Sequence, residues 1–554
     1  MTTAIAVLGG VGLFLLGMTV MTDGLKALAG SSLRTVLARA AATPLSGAFW
    51  GAVVTLLVQS SSAVTMTTIG LVSAELLTFP QGLGLVFGAN IGTTGTGWLV
   101  ALIGVRVSLS SYALPLIFVG ALTRLLAGGR IAAGGAALAG FALVLYGLTT
   151  LQQGMGGLAE SLHPSDLPSL LGMPGIGWVE GAIGLLKLVV VGLLMTAVMQ
   201  SSTASIAVTI AAFYAGAVGL EQGAALIVGQ NIGTATSSAL AAIGATTTAK
   251  RLALAYVLFK VIAAIIALVT FPFTAALMAR LSGTLDGTTL LAAYHTAYNI
   301  VGVAVLLPAT QRFTRFVERL LPSKESSIDR MLDPAALVSP VVAVEAARRA
   351  IAEALRTMAA SVTASLSGQN ALSERNVATV TATLEKVRSF LSELRASPDT
   401  NAERRRLTSI LHALDHASRL AEVLANGGVS DSSGGDPDDL RAAELCKQAM
   451  RWTQRVDESI TAEAGLSRHA EPIGWNISPE VRSELTQVES AAKALAAMLP
   501  EHRATILASV GPGKLTAIEA LARIEATRGL ERISHHAWRS TAHLLGLGDP
   551  TRPP

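Results

Sequence analysis

A single cysteine, Cys446, occurs in 554 residues, so no intrachain disulfide can form and no multi-cysteine metal centre can be assembled. The part of the chain outside any membrane is therefore expected in a reducing compartment. Charge is scarce too, at 14% of residues, and it is unevenly spread. Residues 1–320 hold 14 Lys+Arg and 8 Asp+Glu, leaving 27 and 29 for residues 321–554. The first part reads as a net +6 membrane region and the second as a net −2 soluble region. The isoelectric point near 9.3 does not point to nucleic acid, because the soluble part is not basic. No phosphate-binding loop ending in GK[ST] is present, which argues against ATP-driven work by this chain alone.

Long apolar runs are abundant instead, with a mean hydropathy of +0.54. They lie near 4–22, 47–77, 83–105, 112–127, 131–150, 181–216, 223–245, 252–282 and 290–307. The first has no basic segment before it and no small-residue cleavage pattern after it, so it is expected to be a retained helix rather than a signal peptide. Arg312, Arg315 and Arg319 follow the last run, and by the positive-inside rule they place the C-terminal part in the cytoplasm. Asp23 and Lys26 are expected to mark the end of the first helix, and Glu75 and Glu221 are expected in interfacial loops.

Within these runs one polar pattern is written twice. Gln59-Ser60-Ser61-Ser62 and Asn90-Ile91-Gly92-Thr93 recur as Gln200-Ser201-Ser202-Thr203 and Asn231-Ile232-Gly233-Thr234, both at an offset of 141. Polar side chains at membrane depth are costly unless they face a cavity or one another, so such clusters usually mark a pathway or a site. Gly and Ser in mid-run favour broken or re-entrant helices. A second likeness, Leu16-Gly17-Met18-Thr19 with Gly24 against Tyr146-Gly147-Leu148-Thr149 with Gly154, has an offset of 130. Repeat one then spans about 4–127 and repeat two about 134–272, with the extra residues of repeat two in the loop around His163-Pro164-Ser165-Asp166.

Each QSS(S/T) run offers one amide and three hydroxyls, which can donate to an oxyanion or coordinate a hard cation through oxygen. If the run starts a half-helix, backbone N–H groups and the positive end of the dipole point at the same place. No Lys or Arg lies within either motif, so a bound dianion needs co-bound cations, for which sodium is suited. No His or Lys within the motifs could activate a serine nucleophile, so the chain is not expected to be an enzyme. The alternative is that these small polar residues merely pack helices together. His295 and Asn299, four apart on the last apolar helix, either join the cavity or tie helices to one another.

Leu13 to Met21, the two QSS(S/T) runs, Gly88 to Thr94, Gly229 to Thr234 and His295-Thr296-Ala297-Tyr298-Asn299 resemble the bacterial sodium/phosphate cotransporter family, related to the type II sodium-dependent phosphate transporters. The resemblance covers nearly all of residues 1–310. It implies an all-α polytopic membrane protein whose two inverted repeats, with broken or re-entrant helices, bring both QSSS regions together near the midplane. Phosphate and sodium would be held there by Gln59, Ser60, Ser61, Ser62, Asn90, Thr93 and Thr94 with Gln200, Ser201, Ser202, Thr203, Asn231 and Thr234. Two departures stand out: Thr203 keeps a hydroxyl in the last QSSS position, whereas Ala235 lacks the one carried by Thr94.

After Pro322 the chain turns charged and alanine-rich with apolar residues at helical spacing. Helices are expected over 340–366, 372–396, 402–425, 438–465, 478–499 and 514–545, separated by Ser397-Pro398, the Gly427 to Pro437 stretch, Pro472, Pro500 and Gly511-Pro512-Gly513. Leu414-Asp415-His416-Ala417 and Leu530 to Ala537 resemble the repeated acidic-His-Ala signature of PhoU, a helical-bundle regulator of phosphate uptake. PhoU proteins can bind metals through Glu and Asp; here the first copy lacks the preceding Glu-Arg and His535 stands where the Asp would be, so no metal beyond sodium and no cofactor is expected.

The expected organisation is a membrane transporter domain at 1–310 ending in a helix at about 290–307, a linker at 311–339, and PhoU-like cytosolic bundles at 340–547. The expected function is sodium-coupled phosphate transport by alternating access in the cytoplasmic membrane, with a regulatory partner at residues 340–547 and room for oligomers in the bilayer. Phosphate export and a phosphate-responsive sensor are the alternatives.

Overall fold

The structure, a computed structural model, describes residues 2–74, 76–104, 110–160, 162–173, 175–241, 243, 246–322, 327–369, 374–395, 398, 400–427, 436–462, 477–512 and 514–548. Every regular element among these residues is helical. Contacts divide the chain into two units, residues 1–69 with 78–324 and residues 70–77 with 325–554. Glu75 and residues 428–435 and 463–476, the last including Pro472, lie outside the described residues.

The first unit begins with α1 (Thr2–Ala40), α2 (Pro44–Val58), α3 (Ser61–Ser73), α4 (Phe79–Thr93), α5 (Gly95–Leu99), α6 (Ser110–Leu126) and α7 (Gly129–Ala159). It continues with α8 (Trp178–Met199), α9 (Ser202–Tyr214), α10 (Leu220–Ala241), α11 (Thr247–Leu281), α12 (Gly287–Leu306) and α13 (Thr310–Leu320). Six helical segments among the described residues are long and apolar enough to cross a membrane: Thr3–Ala29, Phe79–Leu102, Gly129–Ala159, Trp178–Met199, Thr247–Leu281 and Gly287–Leu306. The chain is an all-α multi-pass membrane protein. By contrast α2 and α3 have 15 and 13 residues. At 1.5 Å per residue they are about 22 and 20 Å long, short of a hydrocarbon core of about 30 Å.

Glycine spacing sets the closest packing. Gly10, Gly17 and Gly24 recur every seven residues along α1, and a Cβ on any of them would collide with backbone atoms of Leu151, Val144 and Ala137 on α7. Gly140, Gly147 and Gly154 recur at the same interval on α7 and meet Met21, Phe14 and Val7. The two stripes run antiparallel, and each glycine lets the opposite backbone approach as only small residues allow. The same device joins α2 to α4 and α8 to α10. A Cβ on Gly88 would strike the Ala48 carbonyl and one on Gly229 the Val189 carbonyl; one on Gly51 would strike the Leu85 carbonyl and one on Gly192 the Leu226 carbonyl. Both pairs of clashes match at the offset of 141.

Residues 311–339, expected as a linker, contain α13, α14 (Ser327–Met331) and a 3-10 turn at Pro334–Val338. Phe313 and Val317, four apart, give α13 a buried face. The second unit continues with α15 (Pro340–Ser365), α16 (Glu374–Ser392), α17 (Asn401–Ala425), α18 (Pro437–Ala462), α19 (Pro479–Ala508) and α20 (Ala517–Leu544). α15 to α17 pack on one another, α18 to α20 do the same, and the two sets meet through α15 with α18 and α17 with α20.

The expected stop at Pro500 does not occur, because α19 carries on through it to Ala508. Beyond the proline, buried His502 and Ile506 anchor the extra turns, with His502 Nε2 2.7 Å from Asp439 Oδ1. Tertiary contacts there outweigh the lost N–H. On α15, burial alone would raise the Glu345 carboxyl, but the Arg348 and Arg349 guanidiniums at 2.9 and 3.1 Å prevail and hold it below the usual range.

Between α17 and α20 lies a histidine cluster. His416 Nδ1 is 3.1 Å from His536 Nδ1, and the His412 and His543 rings stack at 5.0 Å. One of the two Nδ1 atoms must donate and the other accept, so this contact requires a neutral ring. Burial, followed by neighbouring charge, pushes His416 down to about 3 and His536 down to about 4.

Two predictions follow from this packing. Gly17→Ala should lower stability by roughly 1–3 kcal/mol through overpacking, measured as detergent-stable melting. Gly12→Ala, where a Cβ meets nothing within 4 Å, should leave it unchanged or raised. For the histidines, the folded pKa is depressed below the unfolded value near 6.5, so the unfolded chain binds more protons. The second unit should thus lose stability as pH falls from about 6.5 towards 4. In the full chain, His416→Asn should flatten that slope; an unchanged slope would contradict it.

Candidate functional site

Both polar motifs sit where a helix breaks. α2 ends at Val58 and Gln59 turns left-handed at φ 56°, and α8 ends at Met199 and Gln200 does the same at φ 51°. Among the described residues these are the only non-glycine residues with positive φ. That conformation costs an L-residue roughly 1–2 kcal/mol, and here the side chain holds it. Gln59 Nε2 donates to the Leu56 carbonyl at 2.6 Å, and Gln200 Nε2 to the Ala197 carbonyl at 2.5 Å. Thr96 Oγ1 donates to Gln59 Oε1 at 2.6 Å, and Ser237 Oγ to Gln200 Oε1 at 2.8 Å.

The next helix then starts at once. Ser60 Oγ accepts from the Ala63 N–H at 3.3 Å to open α3, and Ser201 Oγ accepts from the Ala204 N–H at 3.2 Å to open α9. Each of these hydrogen bonds recurs at the offset of 141.

The two helix starts face one cavity of about 240 Å³. Of the residues singled out by sequence, Gln59, Ser60, Ser61, Ser62 and Thr93 line it from the first copy, and Gln200, Ser201, Ser202, Thr203 and Thr234 from the second. Thr65, Met66, Thr96, Ser237, Ser238 and Tyr256 complete the wall. None of these side chains carries a fixed charge. Thr96 and Ser237 stand at the offset of 141 and 37 residues after their glutamines, a signal present in the sequence but outside the motifs.

Asn90, Thr94, Asn231, His295 and Asn299 do not line the cavity. They form the layer behind it. Asn231 Nδ2 donates to Asn299 Oδ1 at 3.2 Å, and Asn299 Nδ2 to the His295 carbonyl at 2.8 Å, so this pair ties α10 to α12. Trp98 Nε1 donates to Thr296 Oγ1 at 2.9 Å, which in turn donates to Thr94 Oγ1 at 3.0 Å. Lys260, absent from the motif reading, is buried on α11, and its ammonium donates to Asn231 Oδ1. The signal was a lone cation in an apolar run.

Two positive helix ends, several hydroxyls and two amides around one small cavity suit an oxyanion together with a hard, oxygen-seeking cation. Because Gly takes the left-handed conformation without cost, Gln59→Gly and Gln200→Gly should lower the melting temperature only through the lost amide hydrogen bonds. The corresponding Val variants should melt lower, and equal melting of Gly and Val variants would contradict the strained break.

The chain is similar to several known proteins. The chain is 26% identical over 312 residues to the uncharacterized protein YqeW of Bacillus subtilis (strain 168), covering 56% of this chain and 96% of that protein. It is 29% identical over 361 residues to YjbB of Escherichia coli (strain K12), whose name proposes it as an inorganic phosphate export protein; the match covers 63% of this chain and 62% of YjbB. A 62-residue segment, 11% of this chain, is 47% identical to 9% of the human sodium-dependent phosphate transport protein 2B. No solved structure matches the chain. Residues 13–153 and 183–292 match the Na+/Pi-cotransporter family.

Proposed function

We propose that this chain is a sodium-coupled secondary transporter of inorganic phosphate working by alternating access. One observation carries it: a cavity without a lining charge, formed by two serine-capped helix starts, each following a glutamine break whose side-chain hydrogen bonds recur in the other copy. A dianion entering such a site brings charge that no lining side chain balances, and co-bound cations that balance it couple sodium to phosphate. Ser61 and Ser202, at the first position of α3 and α9, donate to phosphate oxygens alongside the backbone N–H groups of those helix ends.

The two copies act as inverted repeats. What supports this is the antiparallel pairing of α1 with α7, in which Gly17 meets Val144 and Gly147 meets Phe14 as a two-fold axis requires. Rocking one repeat against the other would expose the cavity to alternate sides. Residues 1–310 form the transport domain of a cytoplasmic-membrane protein, and residues 340–547 form a PhoU-like regulatory bundle on the cytosolic side. The Arg312, Arg315 and Arg319 cluster favours that orientation.

Net export is a second reading, favoured by the name of the Escherichia coli relative. The same site serves both directions, and the gradients decide.

Purified chain in proteoliposomes should accumulate radiolabelled phosphate under an inward sodium gradient and not when potassium replaces sodium. Loss of one hydrogen bond to a charged group, worth about 1.5–3 kcal/mol, should cost Ser61→Ala or Ser202→Ala about tenfold or more in phosphate affinity. Unchanged flux and affinity in both variants would overturn the assignment.

A further inference from the structure

Asn90 and Asn231 hold the same place in the two copies, and both are buried, at 2% and 4% exposure. Their surroundings differ. Asn231 Oδ1 accepts from the ammonium of Lys260, itself 2% exposed, and Asn231 Nδ2 is committed to Asn299. In the first copy Asn90 Nδ2 donates back to the Val86 carbonyl at 2.9 Å, and Asn90 Oδ1 has no hydrogen-bond partner among the described residues.

Among the described residues no cation meets Asn90 Oδ1 as Lys260 meets Asn231 Oδ1. One copy thus carries its own cation on the asparagine oxygen, and the other presents a bare buried oxygen of the kind that ligates hard cations. Lys260 also reaches the cavity wall. Its Nζ lies 5.3 Å from the centre of the Tyr256 ring, and Tyr256 lines the cavity together with Thr234.

We propose that Lys260 is a tethered cation standing where the second repeat would otherwise take a sodium ion, and that Asn90 Oδ1 is a ligand to a mobile sodium in the first repeat. This rests on the sodium-coupled transport assignment and deepens it. A fixed ammonium balances part of the phosphate charge without being transported, so the chain binds one sodium fewer than two equivalent repeats would.

Equilibrium binding of radioactive sodium to the purified full chain, in saturating phosphate, counts the sites. Lys260→Met, which removes the ammonium at similar length, should bind one more sodium per chain than the unaltered protein, and Asn90→Ala one fewer. An unchanged count in folded Lys260→Met overturns the proposal. Should that variant not fold, Asn231→Ala should keep the unaltered count while Asn90→Ala loses a site; equal losses in both overturn it. Failure of the transport assignment would appear separately, as no phosphate flux by the unaltered chain, and the sodium counts decide the role of Lys260 in either case.

Discussion

A helix that breaks inside an apolar surrounding frees carbonyls at one end and N–H groups at the next start, with no water to satisfy them. Everything in the membrane unit is arranged around two such breaks. At each, a glutamine turns left-handed, its amide nitrogen returns to the carbonyl three residues back, and its oxygen receives a hydroxyl from a later helix of the same copy, Thr96 on α5 or Ser237 on α10. The carbonyl end is thereby closed. A serine then caps the following helix, leaving the remaining first-turn N–H groups directed at the cavity.

Holding two broken helix pairs in that position requires close backbone packing, since burial against lipid tails gives helices little reason to associate. Glycine supplies it. The heptad stripes on α1 and α7 interlock along several turns, and the matched contacts of α2 with α4 and α8 with α10 fix each break against its neighbour. The outer faces remain apolar, with Leu8, Phe49, Val198 and Phe273 all exposed. The copies also differ in the layer behind the cavity, where Lys260 and Asn299 serve Asn231, while Thr296 and Trp98 are linked to Thr94.

Much of this was legible in the chain. The QSSS motifs located the breaks, and their glutamines and hydroxyls line a common cavity with Thr93 and Thr234 of the NIGT motifs. The asparagines were legible as polar but not as a second layer, because a linear motif does not say which helical turn faces inward. Thr96 and Ser237 were missed although they obey the same offset, since single hydroxyls are ordinary on membrane helices. Lys260 was missed because its partner Asn231 lies 29 residues earlier on another helix. In the second unit, helix existence followed from apolar spacing. The passage of α19 through Pro500 did not, because it depends on His502 meeting Asp439, 63 residues away.

The central claim is that the duplicated motifs build one site between them rather than one site each. Equilibrium binding of radiolabelled phosphate to purified chain in sodium measures this directly. The account predicts one phosphate per chain, with binding abolished by altering either Gln59 or Gln200 alone. Two phosphates per chain, or half the sites surviving each single substitution, would contradict it.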